Sequence, residues 1–302
     1  MKALIIYFSQ TGFTLKIGQK ICDGIKDAGW DCEMTDIRKT EDYSLEEYDL
    51  IGIGCPVFYC REPFNVSDYI KNLPKMKNKL WFVYSTHGSI LGRTLVSMAG
   101  NLKKKGAIVS GYFDCYADAT MPYIPHPTLT TGHPDQIEYE EAYNFGEEIV
   151  SRSTKIAAGD LKLIPEPDPV EEEWLNRGNY MTHEVVKSIS PPFNIDVEKC
   201  SSCGECEDQC PVGGIDVEAD PPRLQNPCIY CWRCIMVCPE FAINTDWEEL
   251  EAKVPSSYAK YRKSLEKNVI NGRFRWLTDP DKIDHSDNQH EKRKRGDFKV
   301  LS

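Results

Sequence analysis

Two runs of four cysteines, CSSCGECEDQCP and CIYCWRCIMVCP, constrain this 302-residue chain more than any other feature. Both runs follow the spacing C-x2-C-x2-C-x3-C, and a proline comes directly after the last cysteine of each. In this spacing three thiolates of one run and the fourth thiolate of the other surround a single [4Fe–4S] cube. The pattern therefore predicts two clusters. One is held by Cys200, Cys203, Cys206 and Cys238, and the other by Cys228, Cys231, Cys234 and Cys210.

The alternative for these cysteines is a pair of structural zinc sites, because zinc also accepts four thiolates. Zinc motifs rarely place four cysteines within so short a run with a proline after the last, so we expect iron–sulfur. Residues 192–247 resemble bacterial-type two-cluster ferredoxins, and all eight ligand positions are present. The resemblance implies a small α+β domain. Tyr230 and Trp232 would either shield the clusters from water or simply pack in the core.

The N-terminal half alternates between strand and helix patterns. We expect strands at 2–9, 32–37, 49–56, 80–86 and 107–117, with helices near 13–29, 64–72, 90–105 and 137–157. Such an alternation predicts an α/β fold, with a parallel sheet covered by helices on both faces. Five strands fit a flavodoxin-like doubly wound sheet with the order 2-1-3-4-5.

The first predicted strand runs into the sequence SQTGFT, residues 9–14, at the start of a helix. Hydroxyl side chains and a glycine at a helix N-terminus form a cradle of donors for an anion. The loop lacks both the lysine of a P-loop and the glycine pattern of a dinucleotide site. It therefore suits a single monophosphate. The alternative is that these residues only cap the helix.

This stretch resembles the phosphate loop of flavodoxins, S/T-x-T-G-x-T, with a phenylalanine at a position that is commonly polar. The resemblance implies bound FMN and two further FMN loops, after the third and fourth strands. The ring-flanking tryptophan and tyrosine of many flavodoxins have no certain counterparts in the chain. Either of two aromatic residues, Phe58 or Tyr59, would stack on the flavin. The implied FMN residues are Ser9, Gln10, Thr11, Gly12, Phe13, Thr14, Pro56, Val57, Phe58, Tyr59, Ser85, Thr86, His87 and Gly88.

Three side chains near these loops have open roles. His87 would either supply a proton to the reduced flavin or satisfy backbone carbonyls within its loop. Cys55 ends a buried strand and is expected to behave as a small hydrophobic residue. Cys60 is the better candidate for a redox-active thiol.

Together the two halves resemble the flavodoxin/ferredoxin fusion proteins of anaerobes. The expected architecture is an FMN-binding domain at 1–158, a linker at 159–191, a ferredoxin domain at 192–247 and a C-terminal extension at 248–302. Such a chain would pass electrons between two [4Fe–4S] clusters and FMN and serve a larger redox enzyme. The alternative is a ferredoxin-dependent flavin reductase, in which 117–135 forms either a substrate lid or a surface between domains. The sequence does not decide between electron carrier and enzyme.

The charge distribution limits the partners. The net charge is −11, yet residues 250–302 carry 13 basic and 8 acidic residues. An acidic chain with a basic tail disfavours general nucleic-acid binding. It fits a redox protein or enzyme complex that docks near the ferredoxin domain. A homo-oligomer is compatible with the sequence. No apolar run is long enough to span a membrane, and no signal peptide is apparent, so we expect a cytoplasmic protein.

Overall fold

A computed structural model describes residues 1–225 and 227–299. The chain divides into two compact units that do not follow chain order. The first unit comprises Met1–Ala117 and Gly132–Met181. The second unit comprises residues 118–131 and the chain from Thr182 onward.

The first unit is built on a five-stranded parallel sheet. Its strand order is β2-β1-β3-β4-β5, as the sequence predicts. Every residue of β4 is buried, as expected for a central strand covered on both faces. The strands are β1 (Lys2–Tyr7), β2 (Asp31–Asp36), β3 (Leu50–Pro56), β4 (Leu80–His87) and β5 (Ile108–Tyr116).

Four helices of this unit confirm the predicted ones. They are α1 (Phe13–Asp27), α2 (Phe64–Asn72), α3 (Thr94–Lys104) and α4 (Gln136–Ala157). The last of them begins with a capping box in which Asp135 and Glu138 satisfy each other's backbone N–H groups. Short 3₁₀ turns lie at Ile37–Asp42, Leu45–Glu47 and Leu161–Leu163.

The segment 159–191, expected as a linker, contains two helices. These are α5 (Glu172–Tyr180), which belongs to the first unit, and α6 (His183–Ile189), which belongs to the second. The longest stretch of this segment with neither helix nor strand is the proline-rich 164–171.

The second unit has very short regular elements around its cysteines. Two antiparallel pairs form, β6 (Asn194–Ile195) with β9 (Ile243–Asn244), and β7 (Ile215–Asp216) with β8 (Arg223–Leu224). Its helices are α7 (Glu205–Asp208), α8 (Arg233–Val237), α9 (Glu248–Ile270) and α10 (Gln289–Lys294), with a 3₁₀ turn at Pro280–Lys282. No helix among the described residues is long and apolar enough to cross a membrane.

Residues 118–131 follow β5 directly in sequence but pack within the second unit. The backbone N–H of Gln289 donates to the carbonyl of Ile124, and that of His290 donates to the carbonyl of Pro122, both at 2.9 Å. The ring of Tyr123 meets the edge of Trp232 with centroids 5.3 Å apart. This segment is therefore a structural part of the cysteine-bearing unit.

Helices α1 and α4 of the first unit approach closely because both carry a glycine at their contact. A Cβ added at Gly146 would lie 2.2 Å from the carbonyl oxygen of Ile21, whereas one added at Gly100 in α3 would meet no atom within 4 Å. We expect Gly146→Ala to lower the free energy of unfolding by about 1–3 kcal/mol through overpacking. The matched change Gly100→Ala should instead raise it by roughly 0.5–1 kcal/mol, because it removes a helical glycine.

Urea unfolding of the full-length variants measures both effects. Equal shifts for the two substitutions would show that backbone contact does not limit the distance between α1 and α4.

Candidate cofactor sites

The three predicted FMN loops lie at one edge of the sheet. They follow the carboxyl ends of β1, β3 and β4, which are adjacent in the strand order. Ligands of open parallel sheets bind at this edge. The fold thus brings together residues 9–14, 56–59 and 85–88.

The 9–14 loop offers polar groups to a ligand. Helix α1 begins after Gly12, whose left-handed backbone has a φ of 81°, and no side chain caps it at that position. The Oγ atom of Ser9 is shielded from solvent and has no hydrogen-bond partner among the described residues. Leaving such an atom without a partner costs about 1–3 kcal/mol. A phosphate accepting from Ser9 would remove that cost, so the cradle fits FMN.

A hydroxyl pair links this loop to the neighbouring strand. Thr14 Oγ1 lies 2.7 Å from Thr86 Oγ1, and both side chains are buried. Since Thr86 lies near the end of β4, the pair fixes the first turn of α1 against a second candidate loop. It therefore positions the cradle.

The loop after β3 forms a tight turn. Phe58 and Arg61 exchange two backbone hydrogen bonds of 3.0 Å, and the two residues between them have left-handed backbones. Tyr59 and Cys60, with φ of 53° and 61°, are these two residues. Phe58 meets Phe8 edge-on, with ring centroids 6.0 Å apart. Phe58 and Tyr59 are both half-buried, as an aromatic side chain that stacks on a ligand would be.

Both cysteines near these loops are buried thiols. Burial raises the pKa of Cys55 well above its ordinary value and also raises the pKa of Cys60, where Arg177 partly opposes the effect. A thiol is nucleophilic only as the thiolate, so these shifts disfavour reactivity at both positions. Cys55 therefore fits the expected small hydrophobic residue.

His87 has a partner on each ring nitrogen. Nε2 lies 3.0 Å from Asp114 Oδ2, and Nδ1 lies 3.1 Å from the carbonyl oxygen of Gly88. The ring also packs edge-on against Tyr116 at 4.6 Å. This geometry favours the loop-holding role over a proton donor.

A buried network of charged and polar side chains, which the sequence does not predict, lies behind the 56–61 loop. Glu62 is almost fully buried and accepts hydrogen bonds from Ser97 Oγ at 2.9 Å and from Arg61 Nη2 at 3.2 Å. Arg93 donates to the same Ser97 hydroxyl at 2.7 Å, and its backbone N–H donates to the carbonyl of Cys60 at 2.9 Å. The network fixes the turn, yet an adjacent arginine and glutamate at 61–62 give no sequence signal for it.

Helix α5 adds a second support to the same turn. A Cβ at Gly178 would lie 2.4 Å from the carbonyl oxygen of Cys60, so only glycine permits this approach. Arg61 Nη1 also donates to the carbonyl of Met181, at 3.2 Å. Part of the expected linker thus holds a candidate FMN loop.

The eight clustered cysteines surround two separate cavities. The first is lined by four cysteines together with apolar residues such as Ile195, Val217 and Ile243; its cysteines are Cys200, Cys203, Cys206 and Cys238. The second is lined by the other four, with Phe193, Ile229 and Trp232 nearby; its cysteines are Cys210, Cys228, Cys231 and Cys234. This is the grouping that the spacing predicts.

In the described part of the chain, no three His, Cys, Asp or Glu side chains are arranged to hold a single metal ion.

Backbone N–H groups already point at three of these sulfurs. Gly214 donates to Cys210 Sγ at 3.1 Å, Ala242 to Cys238 Sγ at 3.3 Å, and Tyr230 to Cys228 Sγ at 3.4 Å. Such bonds stabilise thiolates that hold a cluster and help to set its reduction potential. Burial raises the pKa of Cys206 to about 11, so cluster binding at this thiol releases a proton.

The two cavities differ in exposure. Cys203 is exposed, whereas the remaining seven thiols are buried or half-buried. Glu240, which lines the first cavity, is also exposed, as is Glu205, the sequence neighbour of Cys206. The first cavity is therefore the one with a solvent-exposed cysteine.

Comparison with known proteins assigns both regions. Residues 4–107 match the flavodoxin domain family, and residues 193–216 match the 4Fe-4S binding domain family. The chain joins a flavodoxin domain to a 4Fe–4S domain. The flavodoxin domain implies FMN, and the 4Fe–4S domain implies a [4Fe–4S] cluster. The matched 4Fe–4S stretch contains the first cysteine run alone.

Individual relatives cover the flavodoxin part. A flavodoxin of Clostridium saccharobutylicum is 26% identical over 165 residues, which are 52% of this chain and 99% of that protein. An uncharacterized protein of Methanocaldococcus jannaschii is 27% identical over 154 residues, 50% of this chain and 99% of the relative. Among solved structures, an archaeal flavodoxin is 17% identical with a TM-score of 0.40, covering 51% of this chain and 99% of its own. Oxidised flavodoxin 1 of Bacillus cereus is 20% identical with a TM-score of 0.39, covering 50% and 98%.

The hydroxyl pair at the phosphate loop can be tested directly. We expect Thr14→Val to weaken FMN binding about tenfold, because it removes a hydroxyl that positions the cradle. Quenching of FMN fluorescence on titration into the apoprotein measures the affinity. Thr154→Val is the matched control, since Thr154 Oγ1 bonds only the Val150 carbonyl within α4. Unchanged affinity in Thr14→Val would rule out the assigned role.

The cysteine grouping predicts separate losses. Cys203→Ser and Cys231→Ser should each lose about half of the bound iron, because each removes a ligand of a different cluster. Iron and acid-labile sulfide analysis of anaerobically purified protein checks this. Cys115→Ala, a buried cysteine in the core of the flavodoxin domain, should keep the full content. The prediction fails if Cys231→Ser retains all of its iron.

Proposed function

We propose that this chain is an electron-transfer protein in which two [4Fe–4S] clusters and one FMN exchange electrons on behalf of a larger redox enzyme. The observation that carries the proposal is the pair of four-cysteine cavities in a polypeptide that also contains a flavodoxin domain. The first cysteine run alone matches the 4Fe–4S family, so the second cluster rests on the second cavity.

The electron count suits such a pairing. Each [4Fe–4S] cluster carries one electron and FMN accepts one or two, so two cluster electrons reduce one flavin fully while protons come from solvent. Joining the centres in one chain raises their effective concentration for each other. The protein contributes the loops that hold FMN and the cavities that hold the clusters.

The first cavity is the better candidate for exchange with a partner. Its ligand Cys203 is exposed, and the acidic side chain of Glu240, which lines the same cavity, is exposed as well. A redox partner with a basic surface would be attracted to this rim, which mainly increases the rate of encounter. We therefore place electron exchange with the partner at the cluster of Cys203.

The sequence feature that favoured the alternative, a flavin reductase acting on a small substrate, is the 117–135 segment interpreted as a lid. Residues 118–131 instead group with the second unit and bond to α10. This grouping supports the carrier over the reductase.

Electron flow can be followed with the two cysteine variants. Reduced single-cluster ferredoxin, mixed anaerobically with the protein, should bleach the flavin absorbance at a rate that Cys203→Ser lowers at least about tenfold. FMN content should stay unchanged in that variant, and Cys115→Ala should react like the wild type. With a reduced donor protein whose surface is basic, the rate should also fall as salt rises, because salt screens the attraction between the donor and the acidic rim.

A normal rate in Cys203→Ser would refute the internal electron path. An anaerobic redox titration separates the two functions further. Flavin that takes up electrons one at a time supports the carrier, and flavin that takes up two together supports the reductase.

A further inference from the structure

The C-terminal extension places an arginine next to Cys238, one of the cysteines that line the first cavity. Arg293, on α10, donates through Nη2 to the carbonyl oxygen of Cys238 at 2.5 Å. Its guanidinium also lies over the ring of Phe241, 4.4 Å from the centroid. Cys238 is one of the four cysteines that line this cavity, so a cation lies next to a candidate cluster ligand.

Helix α10 is fixed in this position by several independent contacts. The side chain of Asn288 caps it by accepting from the backbone of Glu291 and also donates to Glu251 on α9 at 2.6 Å. Gln289 Nε2 donates to the carbonyl of Ala119 at 2.9 Å, and His290 stacks on Trp247 at 4.9 Å. These contacts fix the position of the helix that carries the arginine.

The basic residues next to Arg293 on α10 form ion pairs with acidic side chains. Lys292 and Arg295 form ion pairs with Asp287, and Lys294 pairs with Glu291. Arg293 is half-buried, and its Nη1 atom is shielded from solvent without a hydrogen-bond partner among residues 1–225 and 227–299. A cation in such surroundings is stabilised by nearby negative charge. The cavity of four thiolates offers that charge.

We propose that Arg293 raises the reduction potential of the cluster held by Cys200, Cys203, Cys206 and Cys238. Reduction adds one negative charge to the cluster, and a fixed cation nearby stabilises the reduced form more than the oxidised form. The hydrogen bond to the Cys238 carbonyl acts in the same direction by drawing electron density from that residue. This inference rests on the iron–sulfur site proposed above.

The second cavity has an arginine of its own. Arg233 lines it and donates to Gln209 Oε1 through Nη2 at 3.0 Å and Nε at 3.3 Å. Arg233 lies within the second cysteine run, whereas Arg293 comes from a helix outside both runs. The extension thus gives the first cluster a means of tuning that the two cysteine runs do not contain.

Three substitutions in the full-length protein test the proposal. Arg293→Gln keeps a hydrogen-bond donor for the Cys238 carbonyl but removes the charge, and Arg293→Lys keeps the charge. Arg295→Gln removes an equal charge two residues away, from a side chain paired with Asp287 and Asp297. An anaerobic redox titration followed by EPR measures both cluster potentials. The signal absent from Cys203→Ser identifies the first cluster.

We expect Arg293→Gln to disfavour the reduced first cluster about tenfold, a shift of about −59 mV for a one-electron couple. The second cluster should be unaffected, Arg293→Lys should restore most of the wild-type potential, and Arg295→Gln should change neither. Equal shifts in Arg293→Gln and Arg295→Gln would overturn the proposal by showing a general charge effect. Unchanged potentials with full iron content would also overturn it.

Iron content separates the remaining outcomes. Loss of the first cluster in Arg293→Gln would assign the residue a structural role and overturn tuning. Wild-type protein without iron would instead refute the proposed iron–sulfur site.

Discussion

The second unit depends on one constraint, which is that eight thiols must surround two cavities in a region with almost no regular structure of its own. Its strands are two residues long, and the helices within the cysteine runs have four and five residues. The apolar cluster of this region contains Cys206 and Cys238 beside Ile235 and Trp232. The candidate ligands are therefore part of the core, and folding of the region is linked to cluster binding. Residues 118–131, α9 and α10 supply much of the remaining packing.

The flavodoxin domain has the opposite organisation. Its core is a buried parallel sheet packed against helices, and the candidate FMN loops project from one edge of that sheet. The candidate FMN loops are held by specific contacts, namely the Thr14–Thr86 hydroxyl pair, the Glu62 network and the close approach of Gly178. FMN would thus bind to a preformed fold, whereas the clusters would help to form theirs.

The sequence predicts those elements whose apolar residues recur in a local, periodic pattern. Five strands and four helices were predicted within a few residues of their observed bounds, because strands buried on both faces leave continuous apolar runs. The four cysteines that line each cavity are the four that the spacing groups together, and their role as cluster ligands stays a prediction. Failures came from contacts distant in sequence. The prolines at 165–169 suggested a linker and concealed α5 and α6, and nothing local assigns 118–131 to the second unit. Arg293 stands in the charge run HEKRKRG, which gives no sign that one member bonds to the carbonyl of Cys238.

The assignment of residues 118–131 to the second unit has a consequence for biosynthesis. All strands of the sheet lie before residue 117, and α5, the last helix of the first unit, ends at residue 180, so this unit can be completed while later residues are still being translated. The partners of 118–131 on α10 are made more than 150 residues later. Until α10 is made, this segment lacks the partners that it contacts in the second unit. A ribosome that terminates before α10 would release a chain with a complete sheet and an unfinished iron–sulfur unit.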